Sequence, residues 1–194
     1  MIKACKLSTV VIAILIAASA ANGQDQQVNL VAGSIGLSLV LPADLKQFSE
    51  EQMAAARAQR IPAKFIFNDP KEDLILAINT FGSDADTRRL PKVADEIKAA
   101  AEKNGADSKS FSSALIKMNG KEWLRFAFTE GPADHLVVNE YFVTDWVGQY
   151  VLLNFSTSPE NYTRLRKDIE RSAQSVQFEM IADVEESAPP IRKN

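Results

Sequence analysis

The chain has 194 residues, a formal net charge of −3 and a single cysteine, Cys5. That length fits one domain with a sizeable core. The mildly acidic balance argues against nucleic acid as a partner, because phosphate neutralisation needs an excess of Lys and Arg.

Residues 1–23 read as a secretory signal peptide. Lys3 and Lys6 give a short positive start, residues 10–18 an apolar run, and Ser19, Ala20, Ala21, Asn22 and Gly23 several cleavage points. The run is well short of the ~20 apolar residues a spanning helix needs. Nothing later in the chain is long and apolar enough to span. The expectation is a periplasmic or secreted protein with no stable membrane insertion after cleavage. Cys5 precedes the apolar run, whereas a lipobox cysteine follows it. Cleavage before Gln24 removes two lysines and no acid, so the charge falls from −3 by two to −5. It also removes the only cysteine, and with it thiol nucleophiles, thiolate metal ligands and disulfides.

Residues 24–179 read as a single domain. After the polar residues 24–27, residues 28–40 alternate loosely, and 35–41 look like a strand ended by Pro42. Ser49 and Gln52 fit a capping box opening a helix over 50–59, with Pro62 as its stop. Residues 63–67 and 74–81 form a strand pair about Asn68, Asp69 and Pro70. Leu90, Val93, Ile97 and Ala101 mark one face of a second helix, with Pro91 in its first turn and Gly105 after its end. Asn119-Gly120 is a strong hairpin signal between strands 112–118 and 122–129. A turn at 131–134 follows, then strands 136–145 and 149–156 about Val147-Gly148. Ser158 and Pro159 open a last helix with the apolar stripe Tyr162, Leu165, Ile169, Ala173 and Val176. Residues 180–194 are acidic and proline-bearing without periodicity, and read as a disordered tail. Hairpin-linked strands imply a mostly antiparallel sheet, which three amphipathic helices can flank in an α+β domain.

The order of these features carries a resemblance. The strand ending in Leu41-Pro42, the long helix from Leu90, the Lys117-Met118-Asn119-Gly120-Lys121 hairpin, Asn139-Glu140-Tyr141-Phe142, Gly148-Gln149-Tyr150 and the closing Ser175-Val176-Gln177-Phe178 resemble the Mog1/PsbP-like fold, and within it the bacterial DcrB-like proteins. The resemblance spans roughly residues 28–178. It implies an α/β/α sandwich of helices about an antiparallel sheet, and a non-enzymatic role as a binding partner, assembly factor or chaperone. It supplies no active-site set.

The catalytic inventory is thin. His135, the one histidine, sits beside Asp134 in a polar turn, and no Gly-x-Ser-x-Gly elbow supplies a nucleophile. It reads as an exposed turn residue. One histidine, with no cysteine left after cleavage, excludes the common structural zinc sets. Asp69, Glu72, Asp73, Asp84 and Asp86 offer oxygens, but without calcium-loop spacing. No metal and no cofactor is expected. Gly33-Ser34-Ile35-Gly36 joins strand to strand and cannot aim a helix terminus at a phosphate. Arg164, Lys167 and Arg171 line one helix face but alternate with acids, which reads as a solvated, charge-paired surface. Asn161-Tyr162-Thr163 matches a glycosylation acceptor by a short pattern only.

The candidate binding residues are Trp123, Arg125, Asn139, Tyr141 and Tyr150. Alternation sets Trp123 and Arg125 opposite Leu124, Phe126 and Phe128, and puts Asn139 and Tyr141 on one face of the next strand. If these faces coincide, they form an aromatic patch with an arginine, a composition enriched in binding hot spots. If a helix covers them, the rings are core. The leading reading is an exported, non-enzymatic protein-binding or adaptor protein, such as an immunity protein or a chaperone for a secreted partner. The alternative is a small-molecule or lipid carrier with a pocket between sheet and helix.

Overall fold

The computed structural model describes residues 25–32, 35–58, 63–82, 85–103 and 110–181. The signal-peptide reading of residues 1–23, the helix stop at Pro62, the helix end at Gly105 and nearly all of the acidic tail lie outside the described residues.

The fold is α+β and mostly antiparallel. Its strands are β1 (Gln26–Ala32), β2 (Ile35–Leu41), β3 (Lys46–Gln47), β4 (Phe65–Asp69), β5 (Leu74–Phe81), β6 (Ser112–Met118), β7 (Lys121–Glu130), β8 (Val137–Trp146), β9 (Gln149–Thr157) and β10 (Gln177–Met180). Its helices are α1 (Glu50–Ala58), α2 (Leu90–Lys103) and α3 (Pro159–Gln174). Seven strands form one sheet in the order β3-β4-β5-β9-β8-β7-β6, and β1-β2-β10 form a second.

The local chemistry that sets these elements is legible. Ser49 and Gln52 make the reciprocal capping box of α1: Gln52 N donates to Ser49 Oγ, and Ser49 N to Gln52 Oε1. Ser158 caps α3, with Pro159 in its first turn. Asn119 and Gly120 take φ of 50° and 74° in the β6–β7 turn, the left-handed geometry that these residues tolerate. Val147 sits at φ 50° in the β8–β9 turn, a costly conformation for a β-branched residue.

The strand reading differs in four places, the first being the short strand β3 at Lys46–Gln47, which pairs with β4 and was not expected. The loosely alternating run at 28–40 is two strands, β1 and β2, paired from Gln26↔Leu41 to Ala32↔Ile35. β4 extends to Asp69, so the β4–β5 turn falls later than expected. After α3 the chain forms β10, which pairs with β2 from Gln177↔Ser38 to Met180↔Ile35.

Each face of the large sheet is covered differently. On one face, Phe67, Leu76, Trp123, Phe142, Leu153 and Phe155 meet Leu37, Leu39 and Leu41 of the small sheet, together with Leu165, Ile169 and Ala173 of α3. On the other, Leu124, Phe126, Phe128, Val143 and Tyr150 meet Leu90, Val93, Ala94 and Ala101 of α2. Met53 and Ala56 of α1 cover Ile66. The small sheet therefore shares with α3 a face that helices alone were expected to flank.

Candidate functional site

The β7–β8 register decides where the five candidate residues go. Arg125 is opposite Phe142, Phe126 opposite Tyr141, and Phe128 opposite Asn139. Because side chains alternate, Tyr141 and Asn139 lie on the α2 side with Phe126 and Phe128, and Trp123 and Arg125 lie on the α3 side. Tyr150, opposite Asp145, joins the α2 side. The single aromatic patch envisaged for all five residues does not form.

On the α2 side the three residues serve packing and a polar seam. Tyr141 stacks on Phe126 with centroids 4.5 Å apart. Asn139 is buried, donates to Glu130 Oε1 and accepts from Ser156 Oγ. Tyr150 packs on Phe81 with the rings tilted at 34°, and its hydroxyl donates to the Asp86 carbonyl. Burial, with the nearby Glu130 charge, pushes the Tyr141 phenol up to about 12. Burial and the Glu140 charge also raise Tyr162.

An alkaline titration checks this. A tyrosine whose folded pKa is raised contributes stability below its unfolded value near 10, and loses it as pH rises through the folded value. Tyr141 and Tyr162 should therefore ionise late, Tyr141 at about 12. Ultraviolet phenolate titration of Tyr141→Phe should lose one late step. The absence of any late transition in the native protein would contradict the buried geometry of Tyr141.

On the α3 side, Arg125 stands at the base of a groove of about 320 Å³ between the β6–β7 edge and α3. Ser112, Ala114 and Ala127 line its sheet side, and Tyr162 and Arg166 its helix side. Arg125 Nε donates to Glu140 Oε1 at 2.6 Å, and its Nη2 to Glu170 Oε1 at 2.8 Å. Glu140 is fully buried. Burial of the guanidinium opposes its charge, but Glu140 and Glu170 outweigh that and raise the Arg125 pKa. Arg166 reaches the same Glu170 oxygen. The group is a charge-balanced network whose polar atoms face a concave surface.

Further along β7, Trp123 lines a second cleft of about 260 Å³ with Asn119, Lys121, Trp146, Val176, Gln177 and Phe178. Phe178 stacks between the two indoles, 6.0 Å from Trp123 and 4.9 Å from Trp146. Asn119 Nδ2 donates to the Gln174 and Val176 carbonyls, tying the hairpin turn to the end of α3.

The remaining candidates hold structural or surface positions. His135 is exposed in its turn, 3.6 Å from Asp134. Asp69 accepts from Lys71 N, and Asp86 caps the turn at Thr87–Arg89 and pairs with Arg88. Arg88 holds the Asp86 carboxyl at about 2. Asp84 lies outside the described residues, and among those described no three metal-ligating side chains come together. Arg164 pairs with Glu72, and Arg171 with Asp168 and Asp25, so these members of the basic stripe are charge-paired. Asn161 Nδ2 is engaged by the Glu72 carbonyl.

Sequence reasoning missed Glu140, Tyr162 and Arg166 in the groove, Glu170 as their bonded partner, and Lys121, Trp146 and Phe178 in the cleft. One signal was available for Glu140. It sits between Val138 and Phe142 on the inward phase of β8, where an unpaired charge is not tolerated.

No family model and no curated protein matches the sequence. Solved structures do match. PsbP (CyanoP) from Synechocystis sp. PCC 6803 is 11% identical with a TM-score of 0.61, covering 84% of this chain and 96% of that one. The Ran-binding protein Mog1p of Saccharomyces cerevisiae is 9% identical with a TM-score of 0.55, covering 80% and 96%. LpqN, involved in cell envelope biogenesis of Mycobacterium tuberculosis, is 15% identical with a TM-score of 0.51, covering 79% and 91%. The chain thus has the Mog1/PsbP-like fold expected from its sequence. Among the described residues no helix is long and apolar enough to cross a membrane.

Proposed function

We propose that this chain is an exported, non-enzymatic binding protein that holds a protein partner along the β6 edge and its neighbouring groove. The observation that carries this is the state of β6. It is the last strand of the large sheet, and Ser112, Ser113, Ala114 and Leu115 are all exposed, Leu115 to 51%. The opposite edge is β3, only two residues long. A seven-residue edge without proline is a template for an added strand, and Lys117 is its one charged residue. Arg125 and Arg166 stand at the groove beside it, where they would meet side chains of an added strand. That such a partner is itself exported, as for an immunity protein or a dedicated chaperone, rests on the signal-peptide reading of residues 1–23. A structurally similar protein, Mog1p, is Ran-binding. The fold supports a binding role by analogy only.

Site-specific photo-crosslinking in native extract tests the reading. A photoreactive residue at Ala114 or Leu115 should yield one partner adduct, and the same residue at exposed Asp95 on α2 should yield none. Both β6 positions are exposed, so stability should move by less than about 0.5 kcal/mol. Adducts of equal strength at all three positions, or none, would sink the assignment.

The groove also supports a second reading, a small-molecule carrier. Its volume of about 320 Å³ lies at the lower end for ligand pockets. Its lining of Arg125, Glu140, Tyr162 and Arg166 suits a polar molecule and disfavours a lipid tail, which would leave those groups unpaired. Native mass spectrometry of protein purified without denaturation would show an added mass for a carrier and the bare chain otherwise.

A further inference from the structure

The chemistry of the groove beside β6 says what a partner strand would have to bring there, an inference that rests on the reading of that edge as the partner site. Ala114 stands opposite Arg125 on β7, and Ser112 opposite Ala127. Alternation puts Ser112 and Ala114 on the α3 side with Arg125. Both are short, so a strand added beyond β6 looks across them to Arg125 and Arg166. Such a strand lies two strand spacings from β7, about 9–10 Å. A long acidic side chain and an arginine close that distance from opposite ends.

The surface an added strand would meet on this side is cationic, although the network behind it is balanced. Arg125 is 23% exposed and Arg166 57%. Of the carboxylates, Glu140 is fully buried, and Glu170 bonds both arginines without lining the groove. Glu170 engages only the Nε of Arg166, and among the described residues the Arg166 Nη atoms have no acceptor. The α2 side of the edge differs. It offers the apolar side chain of Leu115, 51% exposed, and Lys117 with Glu122 across from it on β7. β6 has no acidic residue, so the β6 of a second copy would leave the arginines unmet.

We infer that the partner contributes an extended acidic segment to β6. Its carboxylates face Arg125 and Arg166 on the α3 side, and its aliphatic side chains lie beside Leu115 on the α2 side. Alternating acidic and aliphatic residues satisfy both faces at once, because neighbouring side chains of a strand point opposite ways.

Three capped heptapeptides test this: Ser-Val-Glu-Val-Glu-Val-Ser, its glutamine analogue and its lysine analogue. Each is titrated into the purified chain while backbone amide resonances are followed. The expected result is saturable shifts at residues 112–118 and around the groove. The glutamate peptide should bind about tenfold more tightly than the glutamine one, and the lysine peptide most weakly. The difference should narrow as salt is raised, because the paired charges are partly exposed. Arg166→Gln should remove most of the preference for glutamate while the glutamine peptide binds as before. A merely structural role for Arg166 would weaken both peptides alike. Equal or tighter binding of the glutamine peptide overturns the inference and leaves the edge reading standing. Shifts that fall elsewhere, or no saturable shift with any peptide, also overturn it, and the crosslinks at Ala114 and Leu115 then judge the edge separately. A dimer of the chain alone in light scattering, with β6 amides protected from exchange, would assign the edge to a second copy instead.

Discussion

Replacing Arg125 by Met should lower the unfolding free energy by about 3 kcal/mol, and the double variant Arg125→Met/Glu140→Leu should recover most of that loss. Glu140 is fully buried in the middle of the large sheet, and Arg125 Nε is its bonded partner at 2.6 Å. A buried carboxylate without its cation keeps its desolvation penalty and loses its compensation. Arg125→Met also strips Glu170 of one partner, leaving it Arg166. The Arg125 guanidinium also lies 5.6 Å from the Phe142 ring centroid, a contact that methionine gives up while keeping the apolar stem. Removing both charges takes away the penalty together with the bond, which is why the double variant should approach the native protein. By contrast Glu170→Gln, at a partly exposed site, should cost at most about 1 kcal/mol. Urea unfolding of the four proteins measures all of this. If the double variant is as unstable as the single one, the groove's charges are not a closed pair and the wall itself depends on Arg125.

How much of this was legible beforehand depended on whether the controlling contacts were local. The Asn119-Gly120 hairpin, the Ser158-Pro159 start of α3 and the apolar faces of α2 and α3 are each specified within a few residues, and each forms where the pattern put it. Adjacent hairpins then imply an antiparallel order, so the fold class followed. β10 was missed because four residues carry too little alternation to read, and its partner β2 lies far back in the sequence. The single aromatic patch does not form, and the reason is sharper. Whether Tyr141 shares a face with Trp123 or with Phe126 is set by the β7–β8 register, and so by the conformation of the connection at 131–136. A slip of one residue exchanges the two faces. The sequence shows alternation within each strand but not the offset between them. The groove was invisible for a related reason: Glu140 and Glu170 come from β8 and α3, and only the packed fold brings both to Arg125.

That same register gives the two aromatic candidates unequal weight. Trp123→Ala should destabilise the fold by about 3–5 kcal/mol, whereas Tyr141→Phe should cost no more than about 1 kcal/mol. Trp123 is among the largest fully buried side chains and belongs to the core joining the large sheet, the small sheet and α3. Truncation opens a cavity there and removes the stacking partner that helps hold Phe178, and so β10, against β7. Tyr141→Phe keeps the ring that stacks on Phe126 and Phe128 and deletes only the hydroxyl. The loss in Trp123→Ala should appear first at β10, because that strand is four residues long and, among the described residues, pairs only with β2. Hydrogen exchange should then show Phe178 and Glu179 amides losing protection before those of β8 and β9. A Trp123→Ala protein within 1 kcal/mol of native, with β10 still protected, would mean that the indole is not part of the packed core. In that event the cleft at its edge, too, would have to be read as surface.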